Sequence, residues 1–364
     1  MKKDIKEVIF INNTVAPYRI PLFNEIKKML NKENINMKVL FLSEKESVRE
    51  WSIDYSKIQF DYEVLPVLYQ KRDTKTTTSD KIVNSGFFKY LLADRVVLFG
   101  YNYYTYLIFM IIRKMLFKKT ILFSESTLSD KVRKNGIGYK LKSFLIKNFF
   151  SSFLVPGLEA KKFIESYGIK SEKISIAPNA VEPLKDIGGI KKDENYITLL
   201  YVGRLAKEKN IDFIINNIPN SDTFKYKLII VGTGEEEQHL KSIRVDYPIE
   251  FRGFEEGDKL AATFKESDIF VLASNSEPWG LVVNEAISLG VVPIVSDRVG
   301  CRHELVQDNG EMFKLNDIKI FQDKIIKVSN DLDEYKEKSL SLSKNITIEN
   351  QAKKMCEGVV NGSN

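Results

Sequence analysis

A chain of 364 residues is longer than one hydrophobic core usually supports, so two domains of about 150–200 residues each are expected. Hydrophobic content of 43% and charged content of 29% exclude a disordered or fibrous chain, and no apolar run approaches the roughly 20 residues that a membrane-spanning helix needs. The charge is divided: residues 1–190 hold 32 Lys and Arg against 20 Asp and Glu, and the remainder holds 23 against 29. The first half should therefore meet something anionic, a membrane surface rather than nucleic acid, since no nucleic-acid-binding module accompanies the charge.

The opening MKKDIKEVIFINN has a short apolar run that stops at Asn12, which reads as a first strand and not as a signal peptide. VIFIN, NMKVLFL, FDYEVLPV, RVVLFG, KTILFS and SSFLVPG follow as strands, with amphipathic helices over residues 20–31 and 139–149. Strands apolar on both faces suit a parallel sheet covered by helices. In IGYKLKSFLIKNFFSSF, Lys140, Lys142 and Lys147 stand beside Phe144, Leu145, Phe149 and Phe150, the composition of a basic amphipathic helix on anionic lipid. Residues 178–195 collect Pro, Gly and charges and read as a linker. A second βα series then begins: ITLLYVG, YKLIIVGTG, IEFRGF, IFVLAS and VVPIVS as strands, with helices near 211–218, 235–244, 258–266 and 281–289. The fold class is thus α/β, two doubly wound Rossmann-like domains over residues 1–185 and 190–345. Ligands in such sheets bind beyond the carboxyl ends of the strands, so the loops after Gly203, Gly232, Gly253 and Ser274 should face one cleft. Cys301 and Cys356 lack metal-ligand spacing and are expected as free thiols of a reduced cytosolic compartment.

Two loops hold the chemistry. In SNSEPWGLVVNEA a strand ends, Pro278 and Gly280 shape a turn, and a helix begins near Leu281, whose unpaired N–H groups suit a phosphate. A carboxylate beside phosphate is repelled, so Glu277 and Glu285, one on each side of the helix start, are suited to sugar hydroxyls. In YVGRLAKEKNIDF, Arg204 and Lys209 can neutralise a diphosphate and the charge that develops as it leaves. Together they ask for a sugar nucleotide. Gly232–Gly234 is only part of a dinucleotide fingerprint, and the D-x-D of Asp331 and Asp333 lies in a polar helical run, so metal-independent chemistry without a cofactor is expected.

GRLAKEKN, VGTGEE, FRGF and SEPWGLVVNEAISLGVVPIVSDRVG resemble the retaining glycosyltransferases of family four, which have the GT-B fold. The resemblance implies that Arg204 and Lys209 hold the donor diphosphate, that Glu285 holds the ribose hydroxyls and that Glu277 contacts the transferred sugar. It places Gly280, Leu281 and Val282 against phosphate, Gly203 among the donor-binding residues and Gly253 and Phe254 near the base, and it implies that residues 346–364 return to the first domain as a helix. NNTVAPYRIPLF resembles the family's first strand-to-helix loop in a form found in builders of surface polysaccharide, putting Tyr18 and Arg19 at the cleft. Many members place a histidine at the end of a first-domain strand. This chain has only His239 and His303, both in the second half, so Glu125, after Ser124 in ILFSEST, is the candidate for that position. The function implied is transfer of a sugar from a UDP-sugar to a glycan or polyprenyl-diphosphate-linked acceptor, on the inner face of the cell membrane. The alternatives are a sugar-nucleotide epimerase or hydrolase on the same scaffold, and a non-catalytic subunit.

Overall fold

The computed structural model describes residues 5–44, 53–71, 81–129, 137–189 and 192–361. In chain order the first part contains β1 (Glu7–Thr14), α1 (Ile20–Lys32), β2 (Asn36–Ser43), β3 (Asp61–Val64), β4 (Val67–Lys71), β5 (Lys81–Asn84), β6 (Arg95–Leu98), α2 (Tyr104–Met115), β7 (Thr120–Phe123), α3 (Ile137–Phe149), β8 (Ser152–Val155), α4 (Leu158–Glu165) and β9 (Ile174–Ile176). Seven strands form one parallel sheet in the order β3-β2-β1-β6-β7-β8-β9. The strands β6, β7 and β8 are buried at every position, as a sheet covered on both faces requires. The run FDYEVLPV is not one strand: β3 ends before Pro66, and β4 turns into an antiparallel hairpin with β5. Proline has no N–H to continue a ladder, which accounts for the break.

The second part contains β10 (Ile197–Val202), α5 (Ile211–Asn217), β11 (Tyr226–Val231), α6 (Glu237–Ser242), β12 (Ile249–Gly253), α7 (Gly257–Glu266), β13 (Ile269–Leu272), α8 (Leu281–Ser288), β14 (Val292–Ser296), α9 (Arg302–Leu305), β15 (Glu311–Phe313), α10 (Ile318–Asn330) and α11 (Leu332–Ser343). Its six parallel strands run β12-β11-β10-β13-β14-β15. The order reverses between β10 and β13, so a crevice opens beyond the carboxyl ends of those two strands, at the loops beginning with Gly203 and Ser274. In the first sheet the reversal lies between β1 and β6, beside the loop of Tyr18 and Arg19.

A last helix, α12 (Ile348–Asn361), leaves the second part and packs on the first. Ala352, Met355 and Val359 are buried in the cluster that also holds Phe23, Ile26 and Leu154. Gly358 allows this approach, since a Cβ there would lie 2.5 Å from the Leu154 side chain. Cys301 is buried, Cys356 is half-buried, and both are free thiols.

Candidate active site

The loops that follow β10, β11 and β12 interlock by backbone. Gly232 has φ of 131°, and a Cβ there would lie 1.9 Å from the Gly203 carbonyl oxygen. The Gly203 N–H donates to Val231, Leu205 to Thr233, and Gly232 to Gly253. The glycines after β10, β11 and β12 thus form one seam, and the conformations they adopt are strained for any other residue. A second seam fixes the glutamate loop. The Gly300 N–H donates to the Glu277 carbonyl at 2.8 Å and Cys301 to Trp279 at 3.1 Å, while a Cβ on Gly300 would lie 1.9 Å from the Pro278 carbonyl oxygen. Gly280, at φ 97°, turns the chain into α8 and leaves the first-turn N–H groups facing the crevice.

Within this frame Lys209 Nζ meets Glu277 Oε2 at 2.5 Å, with both side chains more than four-fifths buried. Arg204, half exposed, pairs with Glu208 four residues on in the same loop. The Asn275 N–H donates to the Glu208 carbonyl, tying the two loops together. An exposed pair such as Arg204–Glu208 is worth at most about 1 kcal/mol, so an arriving diphosphate can recruit the guanidinium at little cost. Lys209 has three N–H donors and can hold Glu277 and a phosphate oxygen at once. One turn into α8, the half-buried Glu285 carboxyl has no hydrogen-bond partner among the described residues, and burial pushes it up to about 7. An acidic side chain kept without a counter-charge in this place costs stability, which a ligand's hydroxyls would restore. Gly253 ends β12, and Phe254 beyond it stands exposed as a free aromatic face.

On the first-domain side Arg19 and Glu125 meet each other, so Glu125 has the place of a local charge partner. Arg19 is buried, with its guanidinium against the rings of Phe99 at 4.6 Å and Phe123 at 5.2 Å, and it donates to Glu125 Oε2 at 3.2 Å. The other Glu125 oxygen accepts from Asn179 Nδ2 at 2.6 Å. Both groups are therefore engaged with protein. Arg19 holds Glu125 in place, and Tyr18, whose hydroxyl accepts from Arg19 Nε at 3.4 Å, is the member of the pair nearer the surface.

Asn179 was read as linker, yet it joins three segments. Gln351 of α12 donates to its side-chain oxygen at 2.9 Å, and its carbonyl accepts from Asn284 of α8, whose own oxygen accepts from Trp279 Nε1 at 3.0 Å. A chain of hydrogen bonds thus runs from Arg19 through Glu125, Asn179 and Asn284 to Trp279 in the glutamate loop. A second bridge lies nearby: Glu304 of α9 accepts from the Leu158 N–H at the start of α4 at 2.7 Å. Its other oxygen is buried without a partner among the described residues, and burial raises the carboxyl to about 7. Arg302 and His303 reach Glu159 of α4 at 2.7 and 3.1 Å, so His303 serves a domain contact. The carboxyl ends of both sheets consequently face each other.

Residues 184–347 match the family described as glycosyl transferases group 1. The O-antigen biosynthesis glycosyltransferase WbnH of Escherichia coli is 31% identical over 227 residues, covering 59% of this chain and 63% of that protein. An uncharacterized glycosyltransferase of Methanocaldococcus jannaschii is 34% identical over 124 residues, 33% of this chain and 31% of its own. The matches thus span from about a third to under two-thirds of these relatives' length. Among solved structures, the lipopolysaccharide outer core galactosyltransferase WaaB aligns at a TM-score of 0.70 and 17% identity over 97% of this chain and 99% of its own. HepE of Anabaena, in complex with UDP and glucose, aligns at 0.67 and 13% over 97% and 98%. The fold is GT-B.

Proposed function

We propose that the chain transfers a sugar from a nucleoside-diphosphate donor, UDP being the favoured nucleotide, to a saccharide acceptor in surface-polysaccharide synthesis, with retention at the anomeric carbon. The observation that supports it most is the Glu285 carboxyl, one turn into α8 and without a hydrogen-bond partner among the described residues, on the helix that follows the loop of the Lys209–Glu277 pair. That arrangement offers hydroxyl acceptors and diphosphate donors on adjoining segments, as a sugar nucleotide requires. Arg204, Lys209 and the N–H groups of Leu281 and Val282 would neutralise the diphosphate as it leaves. Glu285 would take the ribose hydroxyls, Phe254 the face of the base, and Glu277 a hydroxyl of the transferred sugar. The bond from the anomeric carbon to the diphosphate oxygen breaks with its electron pair on that oxygen. The acceptor hydroxyl attacks from the same face and its proton passes to the departing oxygen, so no protein base is required. Glu125, with both oxygens engaged, is better suited to shaping the acceptor side than to moving a proton. A lipid-linked acceptor, such as a polyprenyl-diphosphate saccharide, would require the first domain to reach a bilayer.

The test is turnover of UDP-sugars by the full chain with and without saccharide acceptors, the anomeric configuration of the product being read by proton NMR. Acceptor-dependent transfer with retention supports the proposal. Breakdown or epimerisation of the donor without acceptor would favour a hydrolase or epimerase. No turnover together with nucleotide binding would favour a non-catalytic subunit.

A further inference from the structure

The face of the first domain formed by α2 and the loops at its end is unusual for a surface in water. Tyr104, Ile108, Ile111 and Met115, spaced four, three and four residues apart, form one exposed stripe, while Thr105, Tyr106, Phe109 and Arg113 on the opposite side face the core. Phe117 follows, 96% exposed and at φ +54°. It stands where a helix ends in a left-handed residue: the Lys118 N–H reaches back to the Arg113 carbonyl and the Phe117 N–H to Lys114. Glycine or asparagine is usual at that position. A phenylalanine there costs backbone strain and exposes a whole ring, and nothing in the folding of the domain asks for either.

The loop is also held firmly. Arg113 is fully buried and donates to the carbonyls of Leu91, Ala93 and Lys119 and to the Thr120 hydroxyl, joining the segment of Phe117 to the segment that exposes Leu92. The charge around this face has one sign. From Lys81 to Ser124 the chain carries seven Lys and Arg and a single acid, Asp94. The adjoining α3 adds exposed Leu141 and Phe144 with Lys140 and Lys147. The segment otherwise departs from the amphipathic reading: Phe150, just after α3, is buried, and the Lys142 ammonium lies over the rings of Tyr101 and Phe163.

We propose that α2, with Met115 and Phe117 at its tip, is the surface by which this protein lies on an anionic lipid bilayer, the apolar stripe entering the acyl boundary and the flanking lysines meeting lipid phosphate. The two features act together, since an apolar stripe inserts and a one-signed rim selects anionic lipid. This deepens the lipid-linked acceptor reading but does not depend on the donor site, so the two can fail separately.

The experiment is co-sedimentation of the full chain with vesicles of phosphatidylcholine alone and of equal parts phosphatidylcholine and phosphatidylglycerol, alongside its UDP-induced thermal shift in free solution. The wild type should sediment with the mixed vesicles, less so at high salt. Phe117→Asn with Met115→Gln should lower partitioning about ten-fold, and separately Lys114→Glu with Lys118→Glu should lower it by at least about thirty-fold, as about 1 kcal/mol for each of two surface lysines implies. Phe117→Asn alone should raise the melting temperature, because asparagine accepts the left-handed backbone, which shows that the ring is not kept for folding. Absence of sedimentation, or variants that bind as the wild type does, would overturn the assignment. So would a wild-type dimer in solution that these substitutions dissociate, because the stripe would then be covered by a second copy. An intact UDP shift beside failed vesicle binding refutes the membrane surface alone, and the converse refutes the donor site alone.

Discussion

At the scale of single residues, Glu285 joins stability to function. Its carboxyl is raised from the usual range to about 7, so the folded chain binds a proton that the unfolded chain has released, and stability falls as pH rises toward 7. Glu285→Gln should therefore stabilise the protein above pH 7, by on the order of 1–3 kcal/mol, with little effect near pH 4.5. Thermal melts across pH check this. The same substitution should weaken nucleotide binding, because the ionised form is the one that accepts hydroxyls. In the wild type, nucleotide affinity should rise from pH 6 to pH 8 and then level off, which titration calorimetry would show. Arg204 behaves differently: it is half exposed and among the described residues pairs with Glu208 alone, so Arg204→Ala should leave the melting temperature unchanged while lowering donor turnover about 10²- to 10³-fold.

At the scale of elements, the strands and helices of the second domain are close to their sequence pattern, with α5, α7 and α8 found within a residue or two of 211–218, 258–266 and 281–289. Apolar periodicity reports local burial, and these helices are buried along a single stripe. The hairpin of β4 and β5 was hidden because its strands are short and Pro66 sits inside what reads as one run. The loops after β10 and β13 drew attention in the sequence through Arg204, Lys209, Glu277 and Glu285, because charged side chains of both signs are unusual at such strand ends, and the structure brings Lys209 and Glu277 together. What held them was not legible: Gly300, Asn179 and Asn284 act through backbone distances and long-range hydrogen bonds that no spacing encodes. Gly300→Ala should cost about 2–4 kcal/mol and disorder the glutamate loop, since its methyl group would meet the Pro278 carbonyl. Denaturant unfolding measures the first effect, and loss of the nucleotide-induced thermal shift the second.

At the scale of the molecule, two GT-B domains face each other across the carboxyl ends of their sheets and are joined at Asn179, at the α12 crossover and at Glu304. The Glu304 bridge should loosen as pH rises through about 7, because ionisation puts an unpaired charge on a buried oxygen beside Glu159. Glu304→Gln should flatten that dependence, read as the pH profile of limited proteolysis at the domain contact. The claim on which everything rests is that the crevice between β10 and β13 binds a nucleoside diphosphate through α8. The direct measurement is calorimetric titration of UDP into the wild type and Glu285→Ala at pH 7.5. Saturable binding that weakens at least ten-fold in the variant is the result predicted here. No binding by well-folded wild type, or equal affinity in both proteins, would contradict it.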